Sequence, residues 1–367
     1  MKNNIKKMDK NMALQKTNTN PLKWYNPKEK PFRISGLAWF DKDKLYQRLP
    51  VKPSHQVPKI VSYLAGMPAG AQLSFKTNSK RLAIRVKLEE LEWMEHMTVT
   101  GQGGFDCYLG NPGRQKYVST ARFGFKTDYE FTFFEFDEPE MRSVTLNFPL
   151  YQGVKSIEIG LNENAKILSA ESRISNKRII FYGTSITQGG CASRPGMAYT
   201  NILSRRFNYE FINLGFSGNG KGEPELARII TEIKNPGCFV LDYEANCVST
   251  ENYKVTLPNF IKILREKHPL IPIILISQIP VAKDYFEARR LNSKIERRKF
   301  SVKLIKKLKK AGDKNIYFID GSKFFGKYTD ECTVDGVHPT DLGFMKMADA
   351  LTPVFKKLIK NNKLFRK

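Results

Sequence analysis

Apolar and polar positions alternate with one period in the first half of the chain and another in the second, and the change falls near residue 177. In the first half the period is two. Residues 71–89 (AQLSFKTNSKRLAIRVKLE) place Leu73 and Phe75, then Leu82, Ile84, Val86 and Leu88, on one side of two extended segments flanking Thr77-Asn78-Ser79. That is the pattern of a β-hairpin. Residues 129–136, 143–148 and 154–161 alternate in the same way, with glycine-rich turns such as 101–104 between runs. No long amphipathic stretch interrupts them. Residues 31–176 are therefore expected to form an all-β, jelly-roll-like antiparallel sandwich. Residues 1–30 are polar, basic and rich in asparagine, the composition of a loosely held tail.

From residue 177 to 367 the pattern becomes that of alternating strands and helices. The run 178–182 (RIIFY) is short and wholly apolar, as in a strand buried on both faces. Further strands are expected over 210–214, 238–243, 271–278 and 315–320. Helices are expected over 197–207, 223–233, 250–267, 284–310 and 341–359. In the 284–310 helix Leu291, Ile295, Val302, Ile305 and Leu308 follow the helical period, with Arg289, Arg290, Lys294, Arg298, Lys306 and Lys309 facing away. Strands alternating with helices predict a parallel sheet covered on both faces, a three-layer α/β/α domain. Ligands bind such sheets outside the carboxyl ends of the strands, so the segments that follow each strand carry the chemistry.

Those segments are Gly183-Thr184-Ser185 after the first strand, Gly215-Phe216-Ser217-Gly218 after the second, and Asp242-Tyr243-Glu244-Ala245-Asn246 after the third. Asp335-Gly336-Val337-His338 comes past a longer loop after the fifth. A serine hydroxyl becomes a nucleophile only beside a base that is held in one tautomer. The chain has four histidines. His55 and His96 lie in the β half, and His268 closes a helix at the opposite end of the sheet. His338 alone falls on the expected rim, with an aspartate three residues before it. Ser185 is thus the expected nucleophile, His338 the base and Asp335 the group that orients it. Acyl transfer also needs donors for the developing oxyanion, and the Ser185 N–H, the Gly218 N–H and the Asn246 amide are the candidates. Taken singly, each segment has an ordinary alternative. Ser185 could cap a helix, Gly215-x-x-Gly218 could cradle a phosphate, and Asp335-x-x-His338 could ligate a divalent ion. Their occurrence in this order on one rim favours a hydrolase.

Charge and composition change this picture little. The chain carries 61 Lys and Arg against 36 Asp and Glu, a net charge of +25. Without a nucleic-acid motif beside it, this excess reads as solvated basic faces, so no nucleic-acid partner is expected. No run is long and apolar enough to span a bilayer, so no membrane partner is expected. The first residues lack the apolar core of a secretory signal, which makes a cytoplasmic location the expectation. Five cysteines with no CxxC pair argue against a disulfide framework. No Cys/His spacing suggests a zinc site, so neither metal nor cofactor is expected. Assembly state is left open, a homodimer included.

The same residues resemble the SGNH (GDSL-like) hydrolase superfamily. Gly183-Thr184-Ser185 is similar to its first block, with threonine in place of aspartate. Gly218 matches the glycine of the second block, Asn246 the asparagine of the third, and Asp335 and His338 the fifth. Glu244-Ala245-Asn246-Cys247 departs from the usual third block. Upstream, Gly104-Phe105-Asp106-Cys107-Tyr108 resembles the GxDLY signature of a β domain that precedes such hydrolases, and Gly36–Phe40 and Leu45–Pro50 look like it too. The resemblance runs from about residue 32 to 359. It implies a flavodoxin-like α/β/α hydrolase domain behind a jelly-roll-like domain. It also implies a carboxylic ester hydrolase, with an acetyl ester of a carbohydrate as the leading substrate. A thioesterase, a lipase-like acyl hydrolase, an acyltransferase and a non-catalytic carbohydrate-binding protein are the alternatives. Arg194, in the loop after Ser185, and Glu244, on the rim after the third strand, are expected to contact substrate.

Overall fold

The computed structural model describes residues 21–361. Ten strands build the N-terminal half: β1 Lys23–Tyr25, β2 Arg33–Ser35, β3 Gln72–Thr77, β4 Arg81–Leu88, β5 Asp106–Leu109, β6 Lys116–Thr120, β7 Asp128–Glu135, β8 Arg142–Asn147, β9 Val154–Leu161 and β10 Ile167–Ser169. They form two antiparallel sheets, one in the order β1-β9-β4-β7 and the other β10-β3-β8-β5-β6, with β2 added on β3. The alternation predicted each strand's buried face. Leu73 and Phe75 of one sheet and Leu82, Ile84, Val86 and Leu88 of the other meet in a single core. The expected hairpin, however, does not form: β3 pairs with β8, whereas β4 pairs with β7 and β9. The chain crosses between sheets at Asn78. Two strands that face each other across a sandwich core bury the same side as two strands that pair, so periodicity cannot distinguish them. The first 20 residues of the expected tail lie outside the described residues. Within the remainder Lys23–Tyr25 is no loose segment, since it pairs with β9. Three short helices, α1 Phe40–Asp43, α2 Lys59–Ala65 and α3 Val99–Gly103, punctuate the connections.

The second half alternates β11 Arg178–Gly183, α4 Ser185–Gln188, α5 Tyr199–Phe207, β12 Glu210–Gly215, α6 Pro224–Thr231, β13 Pro236–Asp242, α7 Thr250–Lys267, β14 Ile273–Ile276, α8 Ala288–Lys310, β15 Ile316–Ile319 and α9 Asp341–Asn361. All five strands are parallel, in the order β12-β11-β13-β14-β15. Adjacent residues of β11 show why the run 178–182 is wholly apolar. Phe181 faces Tyr199 and Phe355 on one side of the sheet, while Tyr182 stacks on Phe260 on the other. Among the described residues, no helix is long and apolar enough to cross a membrane. Helix α8 departs from expectation at two positions. Leu291 is exposed, whereas Lys294 is buried and donates from Nζ to the Ile279 carbonyl at 2.8 Å and to the Asp284 carboxylate. Burial pushes its ammonium pKa down, and Asp284 opposes that shift. A lysine met in a helical pattern reads as solvated. Only a carboxylate brought in from the preceding turn makes its burial affordable.

The two halves share a core. Leu49, Val61, Leu64, Met97, Leu150 and Tyr151 from the first half pack into the apolar cluster of the second. Buried polar pins cross the same boundary. Arg48, which is 1% exposed, donates to the carbonyls of Met67 at 2.7 Å, Leu64 at 2.6 Å and Gly215 at the end of β12, and stacks on Phe216. Arg194 reaches back from the second half to Asp106 Oδ2 at 2.8 Å and the Tyr108 hydroxyl at 2.5 Å, over the Tyr117 ring. Asp106 is fully buried and also accepts from Asn147 Nδ2 at 2.7 Å and the Gly196 N–H at 2.7 Å. Burial alone would lower the Arg194 pKa, but Asp106 and Tyr108 outweigh it and raise it.

Beneath the rim, Asp242 ends β13 and accepts from the Tyr199 hydroxyl at 2.7 Å and from Thr187 Oγ1 at 3.3 Å. Burial pushes its carboxyl up to about 7; the two hydroxyl donors only partly offset this, and Glu244 adds to it. A carboxyl with a raised folded pKa holds its proton more tightly in the folded than in the unfolded chain. The stabilisation is therefore complete below the unfolded value and is lost as pH rises through the folded one.

Two outcomes follow. Arg194→Ala, which strands the Asp106 carboxylate in the domain boundary, is expected to cost about 3 kcal/mol in urea unfolding; a cost under about 0.5 kcal/mol would mark the pair as a passive contact. Wild-type protein is expected to lose on the order of 2 kcal/mol between pH 5 and pH 8 through Asp242. Asp242→Asn should remove that part of the slope, and an unchanged slope in the variant would place the titration elsewhere.

Candidate active site

Ser185 sits where β11 turns into α4. The turn needs Gly183, because a Cβ there would lie 2.0 Å from Thr187 Oγ1 and 2.7 Å from the Asp242 carbonyl oxygen. The helix cap is Thr184, whose hydroxyl accepts from the Ile186 N–H at 3.2 Å. Ser185 is thus released from capping, and its Oγ lies 2.8 Å from His338 Nε2. His338 Nδ1 lies 2.7 Å from Asp335 Oδ2. With Nδ1 donating to that carboxylate, Nε2 presents its lone pair to the serine hydroxyl.

The loop that carries His338 is closed by its own backbone. Val334 N–H donates to the His338 carbonyl at 2.8 Å, Thr333 and Pro339 form an isolated bridge, and Ala282 N–H ties the Gly336 carbonyl to the turn after β14 at 2.8 Å. Gly336 has φ +81°, a conformation that glycine adopts without strain. Asp335 Oδ1 accepts from the Val337 N–H at 2.9 Å and the His338 N–H at 2.7 Å. Partial burial works against ionisation of Asp335, but these donors and the imidazole outweigh it and hold the carboxyl at about 2. The carboxylate is therefore charged throughout the neutral range.

The three expected oxyanion donors differ in how freely they stand. The Ser185 N–H is in the first turn of α4, where helix N–H groups lack an intrahelical acceptor. Gly218 has φ +63°, and a Cβ built on it meets nothing within 4 Å, so its backbone borders open space. Asn246 is more committed than expected. Its Nδ2 donates to the Asn219 carbonyl, which leaves one amide hydrogen for a ligand and straps the β13 end to the loop after β12. That loop is fixed again by Gln188, which accepts from the Ser217 N–H at 3.1 Å and donates to the Leu150 carbonyl at 3.0 Å.

The two expected substrate contacts have protein partners instead. Arg194 is spent on Asp106 and Tyr108, as described above. Glu244 is buried and accepts from the Gln278 N–H at 3.1 Å and Arg297 Nε at 3.2 Å. Burial pushes its pKa up, and Arg297 counters the shift. A rim position and a charge do not establish that a side chain faces the ligand; each of these turned toward an opposite charge that the fold brought nearby.

What sequence reasoning missed comes from the β domain. Thr98 Oγ1 and Thr100 Oγ1 each donate to the Ser193 carbonyl at 2.7 Å, and Ser193 N–H donates to Asp341 Oδ1 at 2.9 Å. This clamp seats Thr98 and Thr100 on the loop that follows Ser185. His96 then lies with its ring 5.3 Å from that of His338, and Trp93 is 59% exposed on the same segment. Tyr151 approaches from beneath and donates to the Ser185 carbonyl at 3.3 Å. Cys191 is buried at the base, where burial, reinforced by Asp335, pushes its thiol up to about 12. No spacing in the chain links residues 93–100 to 338; only the packing of α3 on Ala192 and Ser193 does.

The geometry agrees with comparison to known families. Residues 176–356 match the model of the GDSL-like lipase/acylhydrolase family, and residues 22–167 match that of GxDLY, the N-terminus of SGNH-hydrolase-type esterases. Comparison with curated proteins gives no match. Among solved structures, a GDSL-like protein from Bacteroides ovatus is 31% identical, covering 92% of this chain and 98% of its own, with a TM-score of 0.84. A salicylyl-acyltransferase from a tetracycline biosynthetic pathway shares the fold at 20% identity, covering 93% of this chain and 98% of its own, with a TM-score of 0.73. So does a family two carbohydrate esterase from Cellvibrio japonicus, at 12% identity, 92% and 98% coverage and a TM-score of 0.60. The chain therefore belongs to the GDSL-like (SGNH) lipase/acylhydrolase family, with a GxDLY-type β domain in front of its α/β domain.

Proposed function

We propose that the protein is a serine esterase that removes short acyl groups, acetyl foremost, from carbohydrate esters. The observation that carries this is the unbroken hydrogen-bonded chain from Ser185 Oγ through His338 to Asp335 at the carboxyl edge of the sheet. As Ser185 Oγ attacks the ester carbonyl, its proton passes to His338 Nε2, and the Asp335 carboxylate stabilises the imidazolium. The Ser185 and Gly218 N–H groups and the remaining Asn246 amide hydrogen meet the oxyanion. His338 returns the proton to the leaving alcohol, and an acyl-serine ester remains. Water, giving its proton to His338, then attacks the acyl carbonyl, and His338 returns that proton to Ser185 Oγ as the acid leaves.

Crowding supports a short acyl group. Ser185 is only 7% exposed, and a methyl group at Gly190 would lie 2.9 Å from the Tyr151 hydroxyl and 3.2 Å from His338 Cδ2. The sugar is supported by the fold shared with carbohydrate esterases and by Trp93, an exposed aromatic three residues before His96.

Ser185→Ala is expected to abolish release of acetate from acetylated sugars while leaving the unfolding transition in place; residual wild-type turnover would remove Ser185 from the nucleophile's role. Asn246→Ala is expected to lower kcat by roughly 10²- to 10³-fold, and an unchanged kcat would mean that the amide only straps the loop. Acetyl esters of sugars should be cleaved with higher kcat/KM than esters of longer acids; the reverse order would replace the acetyl assignment with a lipase-like one.

A further inference from the structure

The clamp that seats the β domain on the second half also assembles a set of soft metal ligands. A ring nitrogen of His96, the Cys191 sulfur and a ring nitrogen of His338 lie within 4.8 Å of one another. The three come from separate parts of the chain. His96 lies in the segment before α3, Cys191 in the turn after α4 and His338 in the loop before α9. Cys191 is a free thiol held at φ +72° by a turn in which the Gly190 N–H donates to the Ser185 carbonyl at 2.8 Å and the Ala192 N–H to the Gly189 carbonyl at 3.1 Å. That turn directs a cysteine, rather than the glycine such a backbone favours, to the base of the site.

Two imidazoles and a thiolate are the donor types that zinc prefers. Zn–N and Zn–S bonds of about 2.0–2.3 Å set ligand separations of roughly 3.3–3.8 Å in a tetrahedral site, so closure by about 1 Å completes it. His338 is already arranged as a zinc-binding histidine. Its Nδ1 is bonded to the Asp335 carboxylate, the outer partner that fixes the ring and strengthens Nε2 as a donor.

We propose that His96, Cys191 and His338 form an inhibitory site for a thiophilic divalent cation, with zinc as the ion of choice. On binding, the Cys191 thiol releases its proton to solvent and its sulfur takes one coordination position. The His338 Nε2 lone pair leaves the Ser185 hydroxyl for the metal, His96 supplies the third bond, and water fills the fourth. No electron is transferred, and removal of the ion restores the starting state. Ser185 keeps its proton but has no base. The inhibition rests on the esterase reading given above, whereas the metal site does not.

The test uses the full chain freed of metal by chelator. Hydrolysis of p-nitrophenyl acetate is titrated with zinc chloride, and half-inhibition at micromolar zinc, reversed by excess EDTA, is expected. His96→Ala and Cys191→Ala, each referred to its own zinc-free rate, should each require at least tenfold more zinc. In parallel, cobalt(II) is added to Ser185→Ala. A thiolate-to-cobalt charge-transfer band in the near ultraviolet is expected, and it should be lost when Cys191→Ala is added. Zinc sensitivity unchanged in both single variants, or no cobalt band in Ser185→Ala, would overturn the proposal. A cobalt band in Ser185→Ala, together with a wild-type chain that cleaves no ester, would uphold the metal site and overturn the esterase reading instead.

Discussion

A parallel sheet obliges every strand to deliver its following loop to the same edge, and the rest of this molecule depends on that constraint. In the order β12-β11-β13-β14-β15 successive strands are added first on one side of β11 and then on the other. The loops after β11, β12 and β13 therefore open side by side around one crevice. Ser185, Gly218 and Asn246 occupy those three loops, and the turn after β14 holds the Gly336 carbonyl of the loop that returns His338 to them. Ser185, Gly218, Asn246 and His338 come from four separate segments of the chain. The sheet's geometry brings those segments to one edge, while the Asp335 carboxylate reaches His338 within their shared loop.

The β domain is built into that crevice. Arg48 bonds the carbonyl that ends β12, immediately before the loop bearing Gly218, and Thr98 and Thr100 bond the loop that follows Ser185. Buried arginines at a domain boundary are costly unless every donor is occupied, and here carbonyl groups and Asp106 fill that need. The consequence is mechanical. Relative motion of the halves would leave several charged groups without partners, so His96 is held beside His338. A shared apolar core reinforces the same restraint.

This division of labour explains where the charged side chains near the rim are held. The side chains with most conspicuous charge near the rim, Arg194 and Glu244, neutralise buried opposites, and Lys294 does so from within a helix. The groups that face the reacting centre are smaller and mostly neutral. Where a low-dielectric interior surrounds a charge, an opposite charge nearby wins over a ligand that is present only part of the time.

The sequence alone determined the order of the five strands and five longer helices of the second half, because a buried parallel strand and an amphipathic helix each leave a period that solvent exclusion enforces. It singled out Asp335 and His338, whose three-residue spacing closes a turn by itself, and Ser185 at a legible strand end, three side chains that the structure joins by hydrogen bonds. The tertiary structure decided what periodicity leaves degenerate: that β3 and β4 face each other across a core instead of pairing, that Lys23–Tyr25 joins a sheet, and that Thr184 takes the capping role and frees Ser185. It also decided which polar side chains met opposite charges, and it carried His96 to His338. Alternation records only which side of a segment avoids water, and it holds no information about which distant segment supplies the cover.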